Sequence, residues 1–163
     1  MKKLLLAVAL IGSSTAAVVA QETEMKSSNT TFSIAGNVGS GTSRDYKLAA
    51  GADIQLDIPI GSTLKFTASA GYENMAYDIN GSKDHSGYIP LLGGLKFGIG
   101  KGLYAHGQVG YAFNTTNNPG SDNDGNFAYA PSIGYGFGKN FDLAAKYISF
   151  GPKAIVARLA YNF

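Results

Sequence analysis

The stretch Ala154-Ile-Val-Ala-Arg-Leu-Ala-Tyr-Asn-Phe163 decides the fold. Taken with period two, Ile155, Ala157, Leu159, Tyr161 and Phe163 make one row, and Ala154, Val156, Arg158, Ala160 and Asn162 make the other. Successive side chains of a strand point to opposite faces, so this pattern predicts a strand with one greasy face and one small or polar face.

Working upstream, the same split recurs seven more times. Phe141, Leu143, Ala145 and Tyr147 oppose Asp142, Ala144 and Lys146; Phe127, Tyr129, Ile133, Tyr135 and Phe137 oppose Ala128, Ala130, Ser132, Gly134 and Gly136. Leu103, Val109, Tyr111 and Phe113 oppose Tyr104, His106, Gln108 and Gly110, while Ile89, Leu91, Leu95, Phe97 and Ile99 oppose Leu92, Gly94, Lys96 and Gly98, where Leu92 fits its row poorly. Leu64, Phe66, Ala68, Ala70 and Tyr72 oppose Lys65, Thr67, Ser69, Gly71 and Glu73. Leu48 to Ile58 opposes Ala49 to Asp57, with Asp53 inside the polar row, and Phe32, Ile34 and Val38 oppose Ser33, Ala35 and Asn37. No charged residue falls on an apolar row. Met75, Tyr77 and Ile79 stand on the opposite parity from Tyr72, which suggests a bulge or a strand that continues above the membrane with its faces exchanged.

Connections alternate in length. Ile60 to Ser62, Gly100 to Lys101 and Gly138 to Lys139 have the size and glycine content of tight turns; Gly39 to Tyr46, Asn74 to Gly87 and Asn114 to Gly125 are longer and polar, and only the last connection on that side, Gly151 and Pro152, is brief. Eight strands joined this way predict an all-β, antiparallel up-and-down barrel with two unlike ends. Pro90 and Pro131 cannot donate to a ladder, and are expected near the long-loop rim, where water can substitute.

The composition of the two rows says which one faces out. A water-facing surface would be about a quarter to a third charged. The polar row is instead largely Gly, Ala and Ser, a size that fits the inside of an eight-stranded cylinder. The apolar row carries Phe32, Phe66, Phe97, Tyr135, Phe137, Phe141, Tyr161 and Phe163 toward the short-turn end, and Tyr72, Tyr111, Phe113, Phe127, Tyr129 and Tyr147 toward the other. Two aromatic girdles flanking an aliphatic band are the mark of lipid interfaces.

The first residues agree with export. Lys2 and Lys3 precede an apolar run from Leu4 to Ile11, then small polar residues and a small-residue site ending at Ala20, the layout of a cleaved secretory signal. The expected organisation is a signal peptide over 1–20, a short N-terminal periplasmic segment over 21–30 and a transmembrane barrel over 31–163. Of 13 basic residues the signal removes two, leaving 11 against 11 acidic ones, and no basic cluster of the kind that binds nucleic acid remains. Cysteine is absent, which excludes a disulfide framework and a thiolate metal site.

The polar rows also concentrate charge. Asp53, Asp57, Glu73 and Asp142 share the lumen with Lys65, Lys96, Lys146 and Arg158, four acids against four bases. That balance suits a mutually neutralised network better than an open conduit, because buried charges persist when paired and hydrogen-bonded. His106, beside Tyr104 and Gln108, is expected to be a hydrogen-bonded lumen histidine, with no serine in a recognisable catalytic arrangement. Ser121 to Gly125 lacks the ligands of a calcium loop. Arg44, Asp45 and Tyr46, with Tyr77, Asp78, Lys83 and His85, are the loop-side residues available to a surface ligand.

In its alternating strands and its aromatic C-terminal ending, the chain resembles the small outer-membrane β-barrel proteins of the OmpA/OmpX type, also catalogued as porin-family or opacity-like barrels. The resemblance spans the whole expected mature chain, and departs from the family in its brief last loop and in girdles without Trp. It implies residence in the bacterial outer membrane, with membrane lipid as the surrounding partner. It also implies that Leu159, Tyr161 and Phe163 form a C-terminal signal for the barrel-assembly machinery. The function expected is non-enzymatic, a structural or surface-interaction role in the cell envelope, without cofactor or catalytic site. The alternatives are a narrow porin-like channel for small solutes and a lipid-modifying outer-membrane enzyme.

Overall fold

The computed structural model describes residues 30–42, 46–79, 82–115, 125–138 and 140–163. The segments expected to be a signal peptide and a periplasmic lead, the loop residues Arg44 and Asp45, and Ser121 to Asp124 therefore lie outside the described residues, except for Thr30.

Eight antiparallel strands close into a barrel in sequence order: β1 (Thr31–Gly41), β2 (Tyr46–Pro59), β3 (Leu64–Ile79), β4 (Ser82–Gly100), β5 (Leu103–Asn114), β6 (Asn126–Phe137), β7 (Phe141–Ser149) and β8 (Lys153–Asn162). Closure is made by β1 against β8, from Ser33 opposite Asn162 to Gly41 opposite Ala154. An even strand count makes this seam antiparallel and removes the sheet edges, the one β arrangement that satisfies every backbone group away from water.

The rows separate as their chemistry requires. In β8 every second residue from Ala154 to Ala160 is buried, while Ile155 and Leu159 are exposed by 57% and 51%. Large apolar side chains more than a third exposed on every strand, around polar residues that are buried, invert the arrangement of a water-soluble barrel and require lipid against the wall. At the short-turn end the rings of Phe32, Phe163, Tyr161, Phe141 and Phe137 follow one another across four strands with centroids 4.9–5.9 Å apart. Tyr129 links Phe127 and Tyr147 at the other end. The turn between β4 and β5 is tight because Gly100, Lys101 and Gly102 all take positive φ, a conformation that costs glycine little.

Three expectations are corrected. The stretch from Asn74 to Gly87 is not a loop: β3 runs 16 residues and β4 19, paired from Asn74 opposite Gly87 to Ile79 opposite Ser82. About 9–11 tilted residues cross the hydrocarbon, so this hairpin rises beyond it, and His85 sits on a strand. Nor do the faces exchange: the β3–β4 register runs without a shift, the one irregularity of the segment lies on the β2 side between Tyr46 and Leu48, and Met75 keeps the parity of Glu73, fully buried in the lumen. Its apolar character fills the loop-side interior and does not mark a new outer face. Finally, Pro90 lies opposite Ala112, two residues from the loop end of β5, but Pro131 lies opposite Gly107 in the middle of that strand. Without its N–H the β6–β7 ladder steps from Tyr129–Ser149 to Ser132–Lys146, so the loss stays local and the strand continues.

The lumen consequently has two storeys. Toward the short turns it is charged. Toward the long loops it is packed with Met75, Tyr88, Leu92, Ile148, Phe150 and Val156 among alanines, with the Tyr88 and Phe150 rings 5.0 Å apart. Leu92 is a member of this core, which explains its misfit with a polar row.

Candidate functional site

The charged storey is built around Arg158. From the middle of β8 its Nε and Nη2 donate to both oxygens of Asp53 on β2, at 2.8–3.2 Å, a forked pairing in which charge and planar geometry reinforce each other. Nη1 lies 3.6 Å from Asp142 on β7. That carboxylate also accepts from Tyr104 at 2.8 Å and from Lys96 at 3.1 Å, and Lys96 bridges onward to Asp57 at 3.1 Å. The Lys96 ammonium also sits 4.1 Å from the Tyr104 ring centroid. Five of the eight charges expected in the lumen thus form one connected cluster reaching across the barrel.

The remaining three are placed differently. Glu73 joins through Asn37, whose amide donates to Glu73 at 2.6 Å and to Asp53 at 3.0 Å. A Cβ on Gly51 would run into the Glu73 carboxylate, so the bare backbone there makes room for it. Lys146 is buried in the field of Asp53 and Glu73, yet makes no ion pair among the described residues. Lys65 stands apart at the short-turn mouth.

Polar residues of ordinary appearance complete the cluster. Gln55 donates to Asp57 at 2.6 Å, Gln108 donates to Ser69 at 2.8 Å, and His106 Nε2 lies 2.8 Å from the Thr67 hydroxyl. The last contact places His106 in a lumen hydrogen bond with Thr67. Asn37 and Gln55 were marked in the sequence only by parity, and nothing in their spacing pointed to these partners. Leu159, Tyr161 and Phe163 lie on the lipid-facing side, exposed by 51%, 41% and 67%.

No protein-family model and no curated protein matches the sequence. Solved structures share its fold. A de novo designed transmembrane β-barrel superposes with a TM-score of 0.57 at 16% identity, over 85% of this chain and 100% of that one. The chain has the fold of a small transmembrane β-barrel. Ail, an outer membrane protein of Yersinia pestis solved with the heparin analogue sucrose octasulfate, matches this transmembrane barrel at 18% identity and a TM-score of 0.54, over 83% of this chain and 100% of that one. The N-terminal β-barrel domain of Pseudomonas aeruginosa OprF matches it at 18% identity and 0.55, over 82% and 97%.

Proposed function

We propose that the protein is a non-conducting, non-enzymatic barrel of the bacterial outer membrane, whose rigid lipid-embedded wall carries its loop-side end for envelope integrity or surface contact. One observation supports this above the others: both storeys of the lumen are occupied, the lower by a cross-barrel ion cluster and the upper by a close-packed apolar core. Ions avoid an apolar constriction, and a cross-linked charge cluster below it interrupts the passage. The test is single-channel recording of the purified barrel in planar bilayers. A flat trace at both polarities is expected; steady unitary openings would revive the narrow-channel alternative.

The surface-contact form of this role has its own support. The β3–β4 hairpin projects from the loop side, stiffened by the Tyr46–Tyr77 ring contact and by the Tyr77 hydroxyl donating to Asp84. Exposed Lys47 and Lys153 lie at the ends of the strands flanking β1. A sulfated sugar of the kind crystallised with Ail is the ligand class we assign to this end. Retention on a heparin column, lost in a Lys47→Glu, Lys153→Glu double variant, is the expected result, and equal retention of the two proteins would remove that assignment.

A further inference from the structure

At the short-turn end the lumen opens into a cavity of about 290 Å³, with Lys65, Lys96, Ser62, Thr63 and Tyr104 in its wall. Lys65 and Lys96 are directly opposed in the β3–β4 register and share the lumen-facing parity. Like charges in directly opposed positions are unfavourable unless something neutralises them. For Lys96 that is done by Asp57 and Asp142.

Lys65 has no such partner among the described residues, and the lower acids are all engaged. Asp57 accepts from Lys96 and Gln55, Asp142 from Lys96 and Tyr104, and Asp53 from Arg158 and Asn37. The space beside the turn is open: a Cβ added at Gly100, in the cavity wall, would meet nothing within 4 Å. A vestibule that concentrates an unneutralised ammonium, hydroxyl donors and empty space is shaped for an anion.

We propose that this mouth is a binding site for a small phosphate-type oxyanion entering from the short-turn side, with Lys65 as its principal ligand and the Ser62 and Thr63 hydroxyls as further donors. Lys96 contributes charge from the floor while remaining bonded to its carboxylates. The site lies inside the barrel wall, so it takes a free anion in preference to the headgroup of a lipid outside.

Isothermal titration of the barrel, folded in zwitterionic micelles at low ionic strength, with inorganic phosphate tests this. Saturable one-to-one binding is expected, weakened at least about tenfold by Lys65→Gln, because a bound phosphate loses a charge-assisted partner. Lys65→Arg should retain most of the affinity, and Ser62→Glu, which seats a carboxylate in the mouth, should abolish it. Lys101→Gln, at an exposed turn lysine outside the cavity wall, should leave it within about twofold. Non-saturable heat, or equal affinity in the wild type and Lys65→Gln, overturns the site. In a second arm, the barrel is placed in nanodiscs containing phosphatidylglycerol and no free phosphate. A shift of the Lys65 side-chain NMR signal there, without any response to free phosphate in micelles, would assign the site to lipid and overturn the free-anion proposal.

Discussion

Arg158 holds two carboxylates at once, so removing it should cost more than the pair itself is worth. The net gain of a buried ion pair over an apolar pair is small, whereas an abandoned buried charge keeps its full desolvation cost. Arg158→Ala strips Asp53 of its forked partner, and a loss of about 3–5 kcal/mol is expected from equilibrium urea unfolding in micelles. The double variant Asp53→Leu, Arg158→Leu should recover most of this, since it leaves no orphan at that position. A single-variant loss below about 1 kcal/mol would mean that water already solvates the cluster. Met75 makes the matching case in the upper storey: it is fully buried, and Met75→Ala should cost about 2–5 kcal/mol through lost burial and the cavity left behind. A much smaller cost in the same unfolding measurement would show that the loop-side lumen is loosely filled.

At the scale of single strands, the alternation was legible because lipid outside and a narrow lumen inside constrain opposite parities of the same residues. In β8 that constraint fixes both rows from Ala154 to Phe163, and Leu159→Arg at its centre should raise the free energy of insertion by about 2–4 kcal/mol if it sits at the bilayer midplane. Ser69→Arg, pointing inward, should act by crowding Gln108, to which Ser69 is bonded. Comparing the folding of the two variants into lipid vesicles separates the faces, and identical lipid-thickness dependence would contradict the assignment. Where strands outrun the membrane, parity lost its meaning. Met75 and Ile148 share the rows of Glu73 and Lys146, and their burial reflects a loop-side core that pairwise alternation does not encode. The polar content of Asn74 to Gly87 hid a hairpin for the same reason, since a ribbon standing in water needs no apolar face. Pairings such as Arg158 with Asp53 were beyond the sequence because they depend on the register across β1, which joins β2 to β8. Deleting Phe163 should lower the yield of assembled barrel in cells more than it lowers the stability of refolded barrel. The residue adds one ring to the end of the girdle, and a role in the assembly signal is what the prediction puts to the test. Equal surface yield would remove that role.

For the whole molecule, the proposed closed lumen makes the two storeys barriers in series, a consequence tested by removing them in order. An ion passing from the loop side first meets the packing of Phe150, Met75 and Ile148, a mainly apolar lining that replaces little of its water. It then meets the cluster in which Lys96 and Arg158 tie β4 and β8 to β2 and β7. Conduction through barriers in series is limited by the higher one, so opening the first alone changes little. Met75→Ala with Phe150→Ala should therefore remain silent in planar bilayers, although its upper lumen is wide enough to admit water. Adding Arg158→Gln breaks the link between Asp53 and Asp142 and leaves the lower passage with an excess of carboxylate over ammonium. This triple variant should show brief openings whose reversal potential in a salt gradient favours cations. Steady openings in the plug variant alone would show that the ion cluster does not bar the lumen. Anion-selective openings in the triple variant would show that Lys65 at the mouth, and not the carboxylates behind it, sets the field an ion experiences.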